Sequence, residues 1–261
     1  MTSAQLHSWQ GKTKVALVQL LIVAVVLILW QVAADHKWIN PFFFGQPRGI
    51  LASFIKTVSD GTLLYNTWVT LAETAVAFIA GMTIGSLLGL ALWWSPFWAR
   101  VVEPALILFN ALPKIALAPM FVVWFGVGFF MKSALAFSLV SVVACMVAYD
   151  GTKQVDPEFH RMLLTLDARR SQVFTKLVFP SCLPWIFSAL RMCIGFALLG
   201  SVVGEFISAN AGLGYLISSA SSVYDLDLVW TSLFVLMVLS ALLQYFGGWL
   251  ERRLLRHQEF N

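Results

Sequence analysis

Six apolar stretches, at about residues 15–34, 67–94, 101–125, 131–149, 184–207 and 229–250, divide this chain of 261 residues. Each is close to the ~20 residues that a helix needs to cross a bilayer. In lipid every backbone N–H and C=O must be paired within the fold, so only helices or closed barrels can span. A barrel strand alternates apolar and polar residues, and these runs do not. Composition removes the soluble and disordered alternatives. Hydrophobic residues make up 59% and charged residues 11%, against roughly 45–50% and roughly 25% in ordinary globular proteins. The expected fold class is therefore all-α: a polytopic membrane protein with six transmembrane helices, forming a single domain over 1–261.

Charge asymmetry orients such a bundle. Lys12 and Lys14 precede the first run, which resembles a signal peptide with Val32-Ala33-Ala34 as a weak cleavage site. The length of that run and the five that follow favour an uncleaved first span, and either reading puts the N-terminus in the cytoplasm. Alternate connections then hold Arg100, Lys153, Arg161, Arg169, Arg170, Lys176, Arg252, Arg253 and Arg256 on the inside. Only Lys37, Arg48, Lys56 and Lys132 fall outside. The positive-inside rule thus predicts a multi-pass membrane protein with both termini cytoplasmic. The net charge of +4 is spent on orientation and gives no reason to expect nucleic acid.

Two connections are long. The outer one, 35–66, carries Ile50, Leu51, Phe54, Ile55 and Val58 at helical spacing, which predicts a short interfacial helix. The inner one, 150–183, opens on Asp156-Pro157-Glu158, an N-cap, a proline at the first helical position and an acid in the first turn. Phe159, Met162, Leu163 and Leu166 follow as one apolar stripe, rimmed by Glu158, Arg161, Asp167, Arg169 and Arg170. An apolar centre with a polar rim suits an interface with another protein. Folding back onto the chain's own helix ends or onto lipid is the other reading. Within the stripe, Phe159 and Leu163 are expected to be the central contacts. A second helical start is expected at Ser171, leading to Pro180 and Pro184.

Inside the spans, Gly81, Gly85 and Gly89 recur every four residues on one helix face, a spacing that lets helix backbones approach closely. Glu73, Lys114, Arg191 and Glu205 are ionisable residues within apolar runs, and each should face protein, water or an interface. Ser188, Arg191 and Glu205 share a face of the fifth span, with the last two too far apart to pair. They either line a pathway or sit at its two membrane boundaries. Lys114 follows Pro113 and precedes Pro119, a stretch where missing donors interrupt a helix. Irregular backbone at that depth is tolerated where it lines a cavity or is buried in protein, so Lys114 is a candidate pathway residue.

Several motifs, in order, resemble the permease subunits of bacterial binding-protein-dependent ABC importers of the nitrate/sulfonate/taurine branch. They are Leu112-Pro113-Lys114-Ile115-Ala116-Leu117-Ala118-Pro119 with Trp124-Phe125-Gly126-Val127-Gly128, Ser171-Gln172-Val173-Phe174 through Pro180 and Pro184 to Leu190-Arg191, and Gly204-Glu205-Phe206-Ile207 with Ala211-Gly212-Leu213-Gly214-Tyr215-Leu216-Ile217. The inner loop of that family carries Glu-Ala-Ala, three residues, Gly, nine residues and Ile-x-Leu-Pro. Leu177-Val178-Phe179-Pro180 is similar to its end, whereas Arg161-Met162-Leu163 replaces Glu-Ala-Ala and Asp167 stands at the Gly position. The resemblance implies a type I importer fold. It also implies that a second permease copy, as a homodimer, completes the pathway. The inner helix docks a cytoplasmic ATPase subunit, and an external binding protein delivers the solute. ATP and Mg would then belong to the ATPase, with no cofactor in this chain.

Nothing else in the sequence points to catalysis. Gly11-Lys12-Thr13 lacks the first glycine of a phosphate loop, since position 6 is Leu6. Cys145, Cys182 and Cys193 and four scattered histidines form no metal or disulfide pattern. A stand-alone channel or carrier is the alternative function, and a membrane enzyme a third that lacks a catalytic constellation. Lys114 and Arg191 favour an anionic solute.

Overall fold

The computed structural model describes residues 3–208 and 210–255. Its helices are α1 (Ser3–Asp35), α2 (Pro41–Phe44), α3 (Pro47–Ser59), α4 (Thr62–Leu92), α5 (Pro96–Ala111), α6 (Ala118–Phe125), α7 (Phe129–Lys153), α8 (Pro157–Thr165), α9 (Arg170–Val173), α10 (Phe179–Ile207), α11 (Leu213–Ser222) and α12 (Leu226–Leu255). A 3₁₀ turn (Lys114–Leu117) joins α5 to α6, and a π turn (Phe174–Val178) joins α9 to α10. Five helices are long and apolar enough to cross a membrane, and the bent α5–α6 pair makes a sixth. The expected all-helical class is thus observed, with five to six apolar stretches of spanning length. Gly11-Lys12-Thr13 lies within α1, a context that no phosphate loop has.

The core of the bundle is α4, α7 and α10. Gly81, Gly85 and Gly89 on α4 face α7, where an added Cβ would come within 2.7 Å of Val140 Cβ and within 2.9 Å of Ala144 Cβ and Ala148 Cβ. Removing those side chains lets the backbones meet, and dispersion contacts replace the hydrophobic drive that lipid cannot supply. Cys145, Cys182 and Cys193 are free and buried in the same core. Among the described residues no group of His, Cys, Asp and Glu could hold a metal ion.

Pro113 and Pro119 bracket the break in the third span, where α5 and the segment Lys114–Phe125 meet at 82°. Further along, Pro180 and Pro184 do not end a helix. Pro180 falls in the first turn of α10, where its missing N–H costs no helical bond, and α10 carries Pro184 inside it and runs on to Ile207. The helix expected near residues 50–58 is α3, which packs on α12 through a Thr231 hydroxyl to the Ile50 carbonyl, 3.1 Å. Between α3 and α4, Asp60 accepts hydrogen bonds from the Thr62 hydroxyl and the Thr62 N–H, which hold its carboxyl below the usual carboxylate range.

Helix α1 stands apart. Most of its apolar residues between Val15 and Val32 are exposed, and it meets the bundle near one end, through Trp30 edge-on to Trp230 at 5.1 Å and Gln31 Oε1 accepting from Arg48 N at 3.0 Å.

Candidate functional site

The polar residues of the apolar helices gather in three places. At the end of the bundle away from α8, α4 presents Asn66, Thr70 and Glu73, α7 presents Lys132, and α10 presents Glu205. The turn before α11 folds onto them. Gly212 N donates to Asn66 Oδ1 (2.7 Å), Leu213 N to Thr70 Oγ1 (2.8 Å) and Gly214 N to Glu205 Oε2 (2.7 Å). Thr70 donates to Glu205 Oε1 at 2.7 Å, and Lys132 Nζ donates to the Ala211 carbonyl at 3.1 Å while pairing with Glu73. Lys132 thus answers Glu73 and the Ala211 carbonyl, while Glu205 is met by the Thr70 hydroxyl and by an N–H at the opening of α11. The sequence Ala211-Gly212-Leu213-Gly214 is fitted to this seat. Gly212 has φ of 118°, and a Cβ on Gly214 would lie 2.8 Å from Glu205 Cβ.

Glu205 is 1% exposed. The sequence leaves it either lining a pathway or at the outer membrane boundary; the turn at 211–214 folds over it, and its hydrogen bonds join α4, α10 and the start of α11. Lys132, counted in sequence as an outer-loop charge, is buried at the centre of the same cluster. Its signal was a lone cation at the edge of an apolar run.

The second place is the broken span. Lys114, at the start of the 3₁₀ turn, is 7% exposed, and its single described partner is the Asn110 carbonyl at 3.4 Å. It borders a cavity of about 390 Å³ closed by Leu139 and Val143 of α7 and Phe196 and Leu199 of α10. Nearer the α8 end, Ser188 and Arg191 line a second cavity, about 370 Å³, with Gln244 and Glu251. Arg191 Nη2 lies 2.8 Å from Glu251 Oε2, a pair joining α10 to α12. Lys114 and Arg191 therefore open onto separate cavities, and Arg191 carries its own counter-ion.

The third place is α8. Asp156 Oδ1 accepts from Glu158 N at 2.8 Å and starts the helix. Phe159, Met162 and Leu166 point outward, 55%, 51% and 69% exposed. Leu163 does not join them: it turns inward onto Leu90, Ala148, Val173 and Val178 at the ends of the core helices. The stripe is wide enough to have two edges, and packing gives one of them to the chain itself. Glu158, Arg161, Asp167 and Arg169 are exposed around it. Arg170 bends back over Trp93 and Trp94. Asp167 has φ of 55°, the left-handed conformation that ends α8.

Comparison with known proteins agrees with this arrangement. The family described as binding-protein-dependent transport system inner membrane component matches residues 81–256. The formylaminopyrimidine transport permease ThiX of Halalkalibacterium halodurans is 30% identical over 227 residues, 87% of this chain and 90% of that protein. The taurine transport permease TauC of Escherichia coli is 29% identical over 237 residues, 89% of this chain and 86% of that protein. Among solved structures, the inward-facing MetNI methionine transporter aligns with a TM-score of 0.65 at 19% identity, over 75% of this chain and 97% of that one. A bacterial alginate importer aligns with a TM-score of 0.64 at 14% identity, over 95% of this chain and 99% of that one. With the matched segment running from Gly81 in α4 through the bent span, α7, α8 and α10 to the end of α12, the chain belongs to the inner membrane components of binding-protein-dependent transport systems and is a permease subunit of an ABC importer.

Proposed function

We propose that this chain lines the translocation pathway of an ATP-driven importer for a small anionic solute, with α8 as its cytoplasmic docking element. The observation that carries the reading is the outward face of α8. Phe159, Met162 and Leu166 are exposed together at one end of the bundle, ringed by Glu158, Arg161, Asp167 and Arg169. An apolar face with a charged rim is the anatomy of a protein interface, and a channel or carrier has no use for one there.

In this reading both termini and α8 are cytoplasmic, as the distribution of Lys and Arg favours. ATP and Mg bind a separate ATPase subunit, an external binding protein delivers the solute, and a second copy of the chain completes the pathway. The chain itself is no enzyme. Leu163 belongs to the inward side of α8 and transmits its movement to α4, α7 and α10, whose ends it touches.

Lys114 supports the anionic solute. An ammonium buried in an apolar span with a single long hydrogen bond is costly, and an anion entering the adjoining cavity would relieve that cost. Arg191 is less suited, because Glu251 already neutralises it.

The test is co-expression with the cognate ATPase and recovery of the complex. Phe159→Asp with Met162→Asp should abolish recovery of the ATPase while the permease still folds, and Leu163→Ala should weaken the permease itself. An intact complex from the double variant would refute docking through this face.

A further inference from the structure

Between α8 and the ends of the core helices lies a cavity of about 530 Å³, walled by Trp93, Pro96, Tyr149, Lys153, His160 and Arg170. It is separate from the Lys114 and Arg191 cavities and from the outward face of α8. Three of its wall residues can carry positive charge, and they differ in what answers them. Lys153 Nζ is 2.7 Å from Glu103 Oε1 and 3.3 Å from Asp150 Oδ1, so its charge is met. The Arg170 guanidinium sits 5.3 Å from the Trp93 ring and 5.8 Å from the Trp94 ring. Its polar contact is the Trp93 carbonyl at 3.4 Å. Among the described residues no carboxylate lies within ion-pair distance of Arg170, and the His160 side chain has no hydrogen-bond partner. Two donors therefore face the cavity with capacity to spare.

Apart from the Tyr149 and Thr152 hydroxyls the rest of the wall is apolar, and next to Trp93 and Pro96 the chain exposes Trp94, Phe97 and Trp98. Tryptophans in such a cluster mark the boundary between hydrocarbon and water. A site with a free guanidinium at that boundary and an apolar flank opening towards lipid is matched to an amphiphile with an anionic head. A phosphate diester fits the fork of an arginine in a way that a point charge would not need.

We propose that this cavity binds the phosphate of an anionic phospholipid, with Arg170 and His160 as its donors and Trp93, Pro96 and the neighbouring aromatic residues against its glycerol and acyl portions. His160 is on the inner side of α8, opposite Phe159 and Met162, so a seated headgroup would tie α8 to the ends of α4, α5 and α7. That consequence for coupling rests on the docking role of α8 proposed above; the binding itself does not.

The experiment uses the purified full-length chain, delipidated in a neutral detergent and titrated with short-chain phosphatidylglycerol or phosphatidylcholine. Bound lipid is counted by native mass spectrometry. Wild type should retain phosphatidylglycerol in preference to phosphatidylcholine. R170Q should weaken that retention about fivefold, the effect of losing one cation at a membrane surface, and R170K, which keeps the charge but loses the fork, should weaken it less. H160Q gives a second reading should R170Q fail to fold. Equal retention of the two lipids, or unchanged phosphatidylglycerol binding in both R170Q and H160Q, would overturn the site. Inorganic phosphate that binds alone and displaces phosphatidylglycerol would overturn the lipid assignment in favour of a soluble phosphate. Because the readout needs no ATPase, failure of docking through Phe159 and Met162 would leave this result standing.

Discussion

The Thr70 hydroxyl lies 2.7 Å from Glu205 Oε1 across 135 positions of chain, fastening α4 to the last turn of α10. Glu205 in turn accepts from Gly214 N, so one carboxylate holds two spans and the start of α11. Replacing it leaves the buried Gly214 N–H without an acceptor and the Thr70 hydroxyl with only the Asn66 carbonyl at 3.2 Å. Glu205→Ala should therefore destabilise the permease by about 1–3 kcal/mol, the range for leaving a buried donor unsatisfied. Thermal unfolding of the solubilised chain measures it. Glu205→Gln keeps one acceptor and should lose less. A variant that unfolds like wild type would show that the turn over residues 211–214 is held by something else.

Lys114 predicts the opposite pattern. Its ammonium has a single long hydrogen bond in an apolar wall, so Lys114→Met removes a desolvation penalty and keeps the volume. The variant should melt at an equal or higher temperature, while uptake by the assembled importer falls by about tenfold or more if the charge meets an anion, as one lost charged hydrogen bond would give. Lower stability with normal uptake would make the lysine structural and remove the argument for an anionic solute.

Close approach of α4 and α7 gives a third prediction. A Cβ on Gly85 would come within 2.9 Å of Ala144 Cβ and 3.0 Å of the Ser141 carbonyl carbon, and backbone cannot swing aside. Gly85→Val should lower stability by about 1–3 kcal/mol or more through overpacking. Gly195 is the internal control, since its added Cβ meets the flexible end of Gln244 at 3.2 Å. Gly195→Ala should be close to neutral in the same melting assay.

These sites were legible in the sequence to different depths. Spans, the α3 helix and the start of α8 follow from local patterns: run length, apolar periodicity and an Asp-Pro-Glu cap. The prolines around Lys114 marked the break, but the 82° angle of the bend has no signature in the local pattern. Lys132 could not be placed from its neighbours, because its partners Glu73 and the Ala211 carbonyl lie on other elements. The same holds for Glu205, whose position on a helical stripe is compatible with lining a pathway until the turn at residues 211–214 folds over it. Leu163 shows the limit of periodicity most directly. Spacing put it on the stripe with Phe159, and only the location of Leu90, Ala148 and Val178 decides that it faces inward.

Asp167 converts one departure from the family motif into a measurement. The resemblance puts glycine at this position, and the backbone here has φ of 55°, which glycine adopts freely and aspartate tolerates better than most residues. The left-handed residue lets Ala168 N reach the Leu163 carbonyl at 3.1 Å and close the end of α8. Asp167→Gly should keep that closure and relieve about 0.5–1 kcal/mol of backbone strain, partly offset by the greater freedom of glycine in the unfolded chain. A β-branched residue cannot take this conformation cheaply, so Asp167→Val should fray the end of α8 and weaken recovery of the ATPase. Hydrogen exchange at Leu166 and Ala168 in the purified permease reads the closure directly. Protection unchanged in Asp167→Gly and reduced in Asp167→Val is the expected pair. Equal protection in all three would mean that the position carries no conformational demand, and that the family's glycine there serves the partner rather than the helix.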